Sequence, residues 1–420
     1  MNVVFLIENN LWLLFSICYL YQLVYTVCIM LFKIKKREAQ TENTDPHKFG
    51  IVIAARNEEG VIGAMIDSVY AQNYPKELVN VYVVADNCTD NTAAIARNKG
   101  ATVFERDDIS RIGKGYALNF LFERVLKEDD CDAYIIFDAD NLVSPDFLSE
   151  INKTYNKGYR VILGYRNSKN YASNWISAGY SLWFLRDSEY LNHPRMLLDT
   201  SCLVAGTGFL ISRAVLEEND GWNYFSLTED VEFNADMIIR GEKIGYCEKA
   251  VFFDEQPTDF NQSWVQRVRW ARGFYQIVWK YGKRLLVCAV SKHNFACFDM
   301  LMSIFPALLI TLMYFIIVLI RLLRSFILEP SLYALINGIL HLGPFIVFGY
   351  VLMYVIGLIP TITEWNNINA SKFEKIIYTF TFPVFMLTFI PIAGAALFKK
   401  VEWEPVRHTI QKSIEDMKEN

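Results

Sequence analysis

The chain has 420 residues, room for two or three domains, and 53 % of them are hydrophobic, a high share for a soluble protein. A formal net charge of −5 gives no overall basic field, which argues against nucleic acid as a partner. The eight cysteines (Cys18, Cys28, Cys88, Cys131, Cys202, Cys247, Cys288, Cys297) show no paired CxxC spacing, so reduced thiols in a cytosolic domain fit better than a zinc cluster or a disulfide framework.

Residues 11–32 are apolar apart from a few Tyr, Ser, Gln and Thr, and are long enough to cross a bilayer. Lys33, Lys35, Lys36 and Arg37 follow at once, with no basic run before the segment and no small-residue cleavage site after it. The stretch therefore reads as an anchor and not a signal, with the chain beyond it on the cytoplasmic side.

From about residue 47 to 256 the pattern is that of an α/β domain. Residues 49–55 read as a buried strand, with Arg56, Asn57, Glu58 and Glu59 at its carboxyl end. Helical spacing follows over 61–71, then a second strand over 79–85 that ends at Asp86. The run 87–92 reads as a turn into a helix, with a Thr or Asp90 available as its cap. A short strand is expected at 101–104 and a helix over 116–128, preceded by the Gly113-Lys114-Gly115 turn.

Residues 134–137 are four apolar side chains in a row, a strand buried on both faces, and they run straight into Asp138-Ala139-Asp140. Strands alternating with helices imply a mostly parallel sheet with its ligands beyond the carboxyl ends. An extended Asp-x-Asp there aims two carboxylates at one point and suits a hard divalent cation holding a phosphate. The alternative is a strand end with two solvated aspartates.

Gly206-Thr207-Gly208 reads either as a turn between strands or as a place where a ligand approaches the backbone. Thr228-Glu229-Asp230 opens an amphipathic helix running to about Arg240, where acids also favour the positive end of the helix dipole. Residues 262–280 form a helix rich in Trp264, Gln266, Arg267, Arg269, Trp270, Arg272 and Trp279, of the kind that lies at a membrane interface. Apolar stretches at 298–320, 332–359 and 376–398 are each long enough to span. Three crossings put the tail (Lys399, Lys400, Arg407, Lys412) outside, against the positive-inside rule, although Pro383 and Pro391 break the last stretch and leave a re-entrant course open. His341 is an ionisable group within a span, between Gly338 and Gly343, which suggest helix packing.

In this order, Asp86, Asp138-x-Asp140, Thr228-Glu229-Asp230 and Gln266-x-x-Arg269-Trp270 before apolar spans, the chain resembles a membrane-embedded family-2 glycosyltransferase. That group includes the cellulose, hyaluronan and poly-N-acetylglucosamine synthases, and the likeness covers about residues 47–280. It implies an α/β fold: a GT-A (Rossmann-like) cytoplasmic domain with flanking transmembrane helices, one N-terminal and about three C-terminal. The corresponding segments are an anchor at 1–37, the GT-A domain at 47–256, interfacial helices at 257–297, a transmembrane region at 298–398 and a polar tail at 399–420.

The expected reaction is inverting, metal-dependent transfer from a nucleotide sugar, a UDP-hexose or UDP-HexNAc, to a growing polysaccharide or a membrane lipid at the plasma membrane. Asp230 is the candidate base, because a hydroxyl acceptor needs a carboxylate within reach to take its proton. Asp138 and Asp140 would hold Mg²⁺ or Mn²⁺, with Asp140 the direct ligand by the resemblance. Arg269, with Arg267 in support, would place fixed positive charge on the phosphates. Lys114 reaches the nucleotide or is a solvated loop lysine. By resemblance Asp86 contacts base and ribose, and Gly206, Thr207, Glu229, Gln266 and Trp270 line the acceptor site. The competing reading is a sugar-nucleotide pyrophosphorylase or another metal-dependent phosphoryl or nucleotidyl transferase.

Overall fold

The computed structural model describes residues 18–34, 44–305, 332–399 and 410–417, together with positions 13, 313, 316, 319, 320, 323, 326, 327, 401 and 408. Eight strands form one sheet: β1 (Phe49–Ala55), β2 (Val79–Asp86), β3 (Thr102–Arg106), β4 (Ala133–Asp138), β5 (Leu142–Val143), β6 (Val161–Ser168), β7 (Phe209–Ser212) and β8 (Ile244–Asp254). Their order is β3-β2-β1-β4-β7-β6-β8-β5.

The central strands bury both faces because their apolar residues alternate between two cores. Val52, Val84, Tyr134 and Ile136 pack with Leu118, Leu121 and Phe122 of the Lys114–Glu128 helix. Ile51, Ile53, Val83, Ile135 and Phe137 face the other way, onto the helices Ile62–Tyr70 and Phe147–Tyr155. β1 pairs in parallel with both β2 and β4, while the chain runs outward to β2 and β3 on one side and returns to β4 on the other. That reversal opens a crevice beyond the carboxyl ends of β1 and β4, where Ala54 lies level with Asp138.

The sheet is mixed, with four of its seven strand pairings parallel and three antiparallel. β7 runs antiparallel to β4 and β6, and β5 antiparallel to β8, while β6 and β8 are parallel. The antiparallel β7 matters for the site, because residues just before its first strand position come to lie beside residues just after the last of β4.

The basic, aromatic segment is a single helix, Phe260–Ser291, longer than its sequence pattern suggested. Trp279 on it is 93 % exposed, as an interfacial anchor would be, whereas Trp264 is partly buried against Val268 and Ile392. Beyond it lie the helices Phe295–Ile304, Leu332–Thr363, Lys372–Leu387 and Phe389–Phe398, the last two separated at Thr388. Among the described residues one helical stretch, Lys372–Phe398, is long and apolar enough to cross a membrane. Positions 11, 12 and 14–17 of the expected span at 11–32 and about half of that at 298–320 lie outside the described residues, as do the His341 side chain and the surroundings of Gly338 and Gly343.

The N-terminal helix Tyr21–Ile34 is tied to this region through a buried acid. Asp299 accepts hydrogen bonds from the hydroxyls of Tyr21 and Tyr25, both at 2.7 Å, and from Arg195 Nε at 2.7 Å. A buried carboxylate is tolerated when it is paired and its lone pairs are filled, and this one is.

Candidate active site

β4 ends on Asp138, whose carboxylate pairs with the Lys114 ammonium. The Asp138 backbone N–H donates to Thr207 Oγ1 at 2.9 Å, and the Thr207 hydroxyl in turn donates to Asn141 Oδ1. Lys114 also donates to the Gly206 carbonyl at 2.7 Å. Gly206 has a φ of 78°, in the left-handed region that favours glycine, and a Cβ there would lie 3.7 Å from Asp230 Oδ2. The Asp230 carboxylate therefore faces the same turn that Lys114 and Asp138 hold.

Asp140 is 5 % exposed, and its Oδ2 accepts the Glu255 N–H at 2.8 Å. Burial alone would push this carboxyl up, but His408, Lys169, the Glu255 N–H and Arg166 outweigh it and hold the group below the ordinary range. His408 Nδ1 stands 2.9 Å from Glu58 Oε1. Burial works against the imidazolium, yet Asp140, Glu58 and Glu255 together raise His408 to about 10. Glu58 is itself pushed up, by burial first and also by Asp140 and Asp138, with His408 opposing. The tail continues along the cleft wall: the Ile410 N–H donates to Glu255 Oε2 at 3.1 Å, and Lys412 Nζ to the Lys169 carbonyl at 2.8 Å.

Glu229 and Asp230 open the Glu229–Arg240 helix. Glu229 is raised to about 7 by burial and by repulsion from Asp230, against the pull of Lys114 and Arg269. Asp230 is also raised by burial, opposed by the Val231 N–H, Lys114 and Arg269. Both cations therefore act on both acids. Arg269 reaches them from the Phe260–Ser291 helix, donating to the Leu227 carbonyl at 3.0 Å. That helix comes down on the loop at Gly273, where a Cβ would lie 2.4 Å from Thr228 Oγ1.

Asp86 is buried at the end of β2 and pairs with Arg106 at 2.5 Å. Asp90 accepts the Thr92 N–H at 3.0 Å from one residue before the N-cap position, which Asn91 occupies, so it fastens the turn without being the cap expected of it. Trp270 meets Tyr180 edge-on at 5.8 Å and Phe184 at 6.3 Å between ring centres. Gln266 Oε1 is buried without a hydrogen-bond partner. Arg267 is not brought to the cluster. It is fully buried, donates to Thr388 Oγ1 at 2.6 Å, and lies over the Phe385 and Phe389 rings at 4.6 and 4.9 Å. Lys114, Asp138, Asp140, Gly206, Thr207, Glu229, Asp230 and Arg269 share one cleft, while Arg267 joins the helix to the C-terminal pair.

The sequence profile described as glycosyltransferase like family 2 matches residues 46–273. The chain belongs to glycosyltransferase family 2. The beta-monoglucosyldiacylglycerol synthase of Synechocystis is 29 % identical over 232 residues, 54 % of this chain and 47 % of that protein. The poly-beta-1,6-N-acetyl-D-glucosamine synthase of Staphylococcus aureus is 23 % identical over 233 residues, 54 % of each chain. The chain spans about half the length of the curated relatives it matches. The solved mannosyltransferase PcManGT from Pyrobaculum calidifontis, in complex with GDP-Man and Mn²⁺, superposes with a TM-score of 0.58 at 15 % identity. The match covers 93 % of this chain and 99 % of that one, a likeness of GT-A fold. Family-2 membership sets aside the nucleotidyl-transfer alternative.

In the family-2 domain the donor set around Asp140 fits a divalent cation: the carboxylates of Asp138, Asp140 and Glu58, and one imidazole. Asp140 keeps one carboxylate oxygen tied to the Glu255 N–H, as the partner of a metal-bound carboxylate is held. Among the described residues no three of these cleft ligands gather within 4.8 Å, and positive charge is supplied instead by Lys114 and His408. His408 would serve such an ion as a ligand in its neutral form, and the ion would supply the positive charge in its place. Two of these residues had no assigned role in the sequence. Glu58 stood visibly at a strand end, whereas a lone histidine in a polar tail carries no pattern.

Proposed function

We propose that the family-2 domain moves a sugar from a nucleotide-sugar donor, a UDP-hexose or UDP-HexNAc, to a hydroxyl of a membrane lipid or a growing polysaccharide, with inversion. The observation that carries this reading is the meeting of Asp230 with the Gly206 turn that also binds Lys114 and Asp138. The Gly206 turn thus sets a candidate base beside the positive charge that a diphosphate needs.

The acceptor oxygen attacks the anomeric carbon as its proton passes to Asp230. The bond from that carbon to the diphosphate breaks, and the nucleotide diphosphate leaves with the bonding pair. A single displacement with one base gives a β-linked product from an α-linked donor. Asp138, Asp140 and His408 would hold Mg²⁺ or Mn²⁺, which supplies Lewis-acid stabilisation of the leaving diphosphate when bound. Lys114 and Arg269 add fixed positive charge beside the acids. Asp86 would meet the base and ribose, and Trp270, Glu229, Gln266, Gly206 and Thr207 the acceptor. The GT-A domain would lie on the cytoplasmic face of the plasma membrane, with the Phe260–Ser291 helix at the lipid surface and helices on either side inserted. The two relatives named above, a beta-monoglucosyldiacylglycerol synthase and a poly-beta-1,6-N-acetyl-D-glucosamine synthase, support both acceptor classes.

The test is to incubate the purified full chain in detergent with a panel of radiolabelled UDP-sugars and Mn²⁺, then to separate lipid extract from high-mass polymer. Label in either fraction, lost in Asp230→Asn, supports the reading. Donor cleavage that leaves all label as free sugar, with or without added acceptors, overturns it.

A further inference from the structure

A second cluster of metal-binding side chains stands outside the cleft, where two backbone irregularities meet. The Trp175–Arg186 helix passes through a π-helical run, Asp187–Asn192, into the helix His193–Leu197. The π run carries Glu189, and His193 follows four residues later. Facing them, β8 slips against β6: Gly164 pairs with Cys247 but Tyr165 pairs with Val251, so residues 248–250 stand out of the ladder. Glu248 is the first of the three. Such π turns and strand bulges forgo regular hydrogen bonding and recur where side chains have been re-aimed for a purpose.

One oxygen each of Glu189 and Glu248 and one nitrogen of His193 lie within 4.8 Å of one another, the only such trio among the described residues. Glu189 Oε2 is 3.5 Å from His193 Nδ1, and Glu248 Oε2 is 3.8 Å from Nε2. The two contacts fall on different ring nitrogens, and one ion would take a single nitrogen, with one oxygen of each carboxylate within 4.8 Å of it, against about 3.4 Å between two ligands of a tetrahedral ion. As hydrogen bonds the two contacts are poor. His193 is 6 % exposed, and its Nδ1 is buried without a hydrogen-bond partner, which is costly unless a ligand fills the place.

Support and access are both present. Glu189, 1 % exposed, has its Oε1 held by the Tyr246 hydroxyl at 3.2 Å, the outer contact that orients a metal-bound carboxylate. Glu189 and Glu248 line a cavity of about 410 Å³ together with Glu364, Asn366 and Asn367, roomy enough to admit a hydrated ion.

We propose that Glu189, His193 and Glu248 form a second cation site, for a divalent metal of the zinc class, with water in the remaining position. The imidazole favours zinc-class ions over the magnesium that all-oxygen sites take. A bound ion would fasten the π run to the β8 bulge, six residues before Asp254, whose carboxylate pairs with Arg166 at the cleft wall.

The test uses the full chain, stripped with chelator, carrying Asp140→Asn to weaken the cleft. Zn²⁺ is titrated by calorimetry, and thermal unfolding is followed with and without it. The expected result is binding of one Zn²⁺ and a raised midpoint in Asp140→Asn, with affinity reduced at least about 10-fold in Asp140→Asn/Glu248→Gln and in Asp140→Asn/His193→Gln. Glu248 is half exposed, so its variant separates loss of the site from loss of the fold. Equal Zn²⁺ isotherms and midpoint shifts in Asp140→Asn and Asp140→Asn/Glu248→Gln, or no binding in the Asp140→Asn parent, overturn the proposal. Neither result bears on sugar transfer.

Discussion

His408 and Glu58 meet at 2.9 Å across 350 positions of sequence, joining the tail to the loop that follows β1. The contact puts an imidazole beside Asp140, where burial and three acids compete over its proton. His408→Ala should weaken Mn²⁺ binding in the cleft about 10- to 100-fold, and metal-dependent nucleotide binding with it. Calorimetry with Mn²⁺ in the presence of UDP checks this. Unchanged Mn²⁺ affinity would reduce His408 to a fastener for the tail.

Asp230 faces the Gly206 turn, whereas donor-side charge comes from Lys114 and Arg269. Asp230→Asn should therefore lower kcat about 10²- to 10⁴-fold while leaving UDP affinity unchanged. A matching loss of UDP affinity would make Asp230 a ligand or a structural acid.

Glu229 gives a pH dependence of stability with a definite sign. Its carboxyl is raised from 4.5 to about 7, so between these values the folded chain keeps a proton that the unfolded chain has released. The stabilising contribution is full below about 4.5 and is lost as pH rises through about 7. Glu229→Gln removes the burden of the buried charge. Its thermal midpoint should gain on the parent as pH is taken from about 5 to about 8. A constant difference across that range would refute the assignment.

Arg267 and Arg269 should part company on mutation. Arg267→Met removes hydrogen bonds to Thr388 and Ser263 from a buried guanidinium, for a loss of about 1–3 kcal/mol of stability, with UDP affinity retained. Arg269→Met should do the reverse, lowering UDP affinity with little change in the unfolding midpoint. Denaturant titration alongside UDP calorimetry reads both, and a common defect would show that one structural role covers the pair.

The two arginines also mark where the sequence could be read and where it was read too generously. Residues two apart on a helix point about 200° away from each other, so Gln-Arg-Val-Arg-Trp never allowed both guanidinium groups on the same phosphates. β4 and its two aspartates were legible because a strand buried on both faces has a plain apolar run that stops abruptly at charge. The helices at 62–70 and 229–240 were legible from their one-sided stripes. The Trp175–Arg186 helix shows no such stripe, because nearly every side of it is buried. The antiparallel course of β7 has no local signature either, since strand direction is decided by what the whole sheet can accommodate. His408 lay beyond reach because all of its meaning comes from residues at the far end of the chain.

One consequence concerns how the chain threads the bilayer. Arg269 and His408 both reach the cleft, so the chain between these two residues starts and finishes on one side. Any passages through lipid between these points must cancel, as out-and-back hairpins do. Three full crossings cannot, but two with a re-entrant segment broken at Thr388 can. Lys399 and Lys412 would then lie on the side of the catalytic domain, where the positive-inside rule expects basic residues.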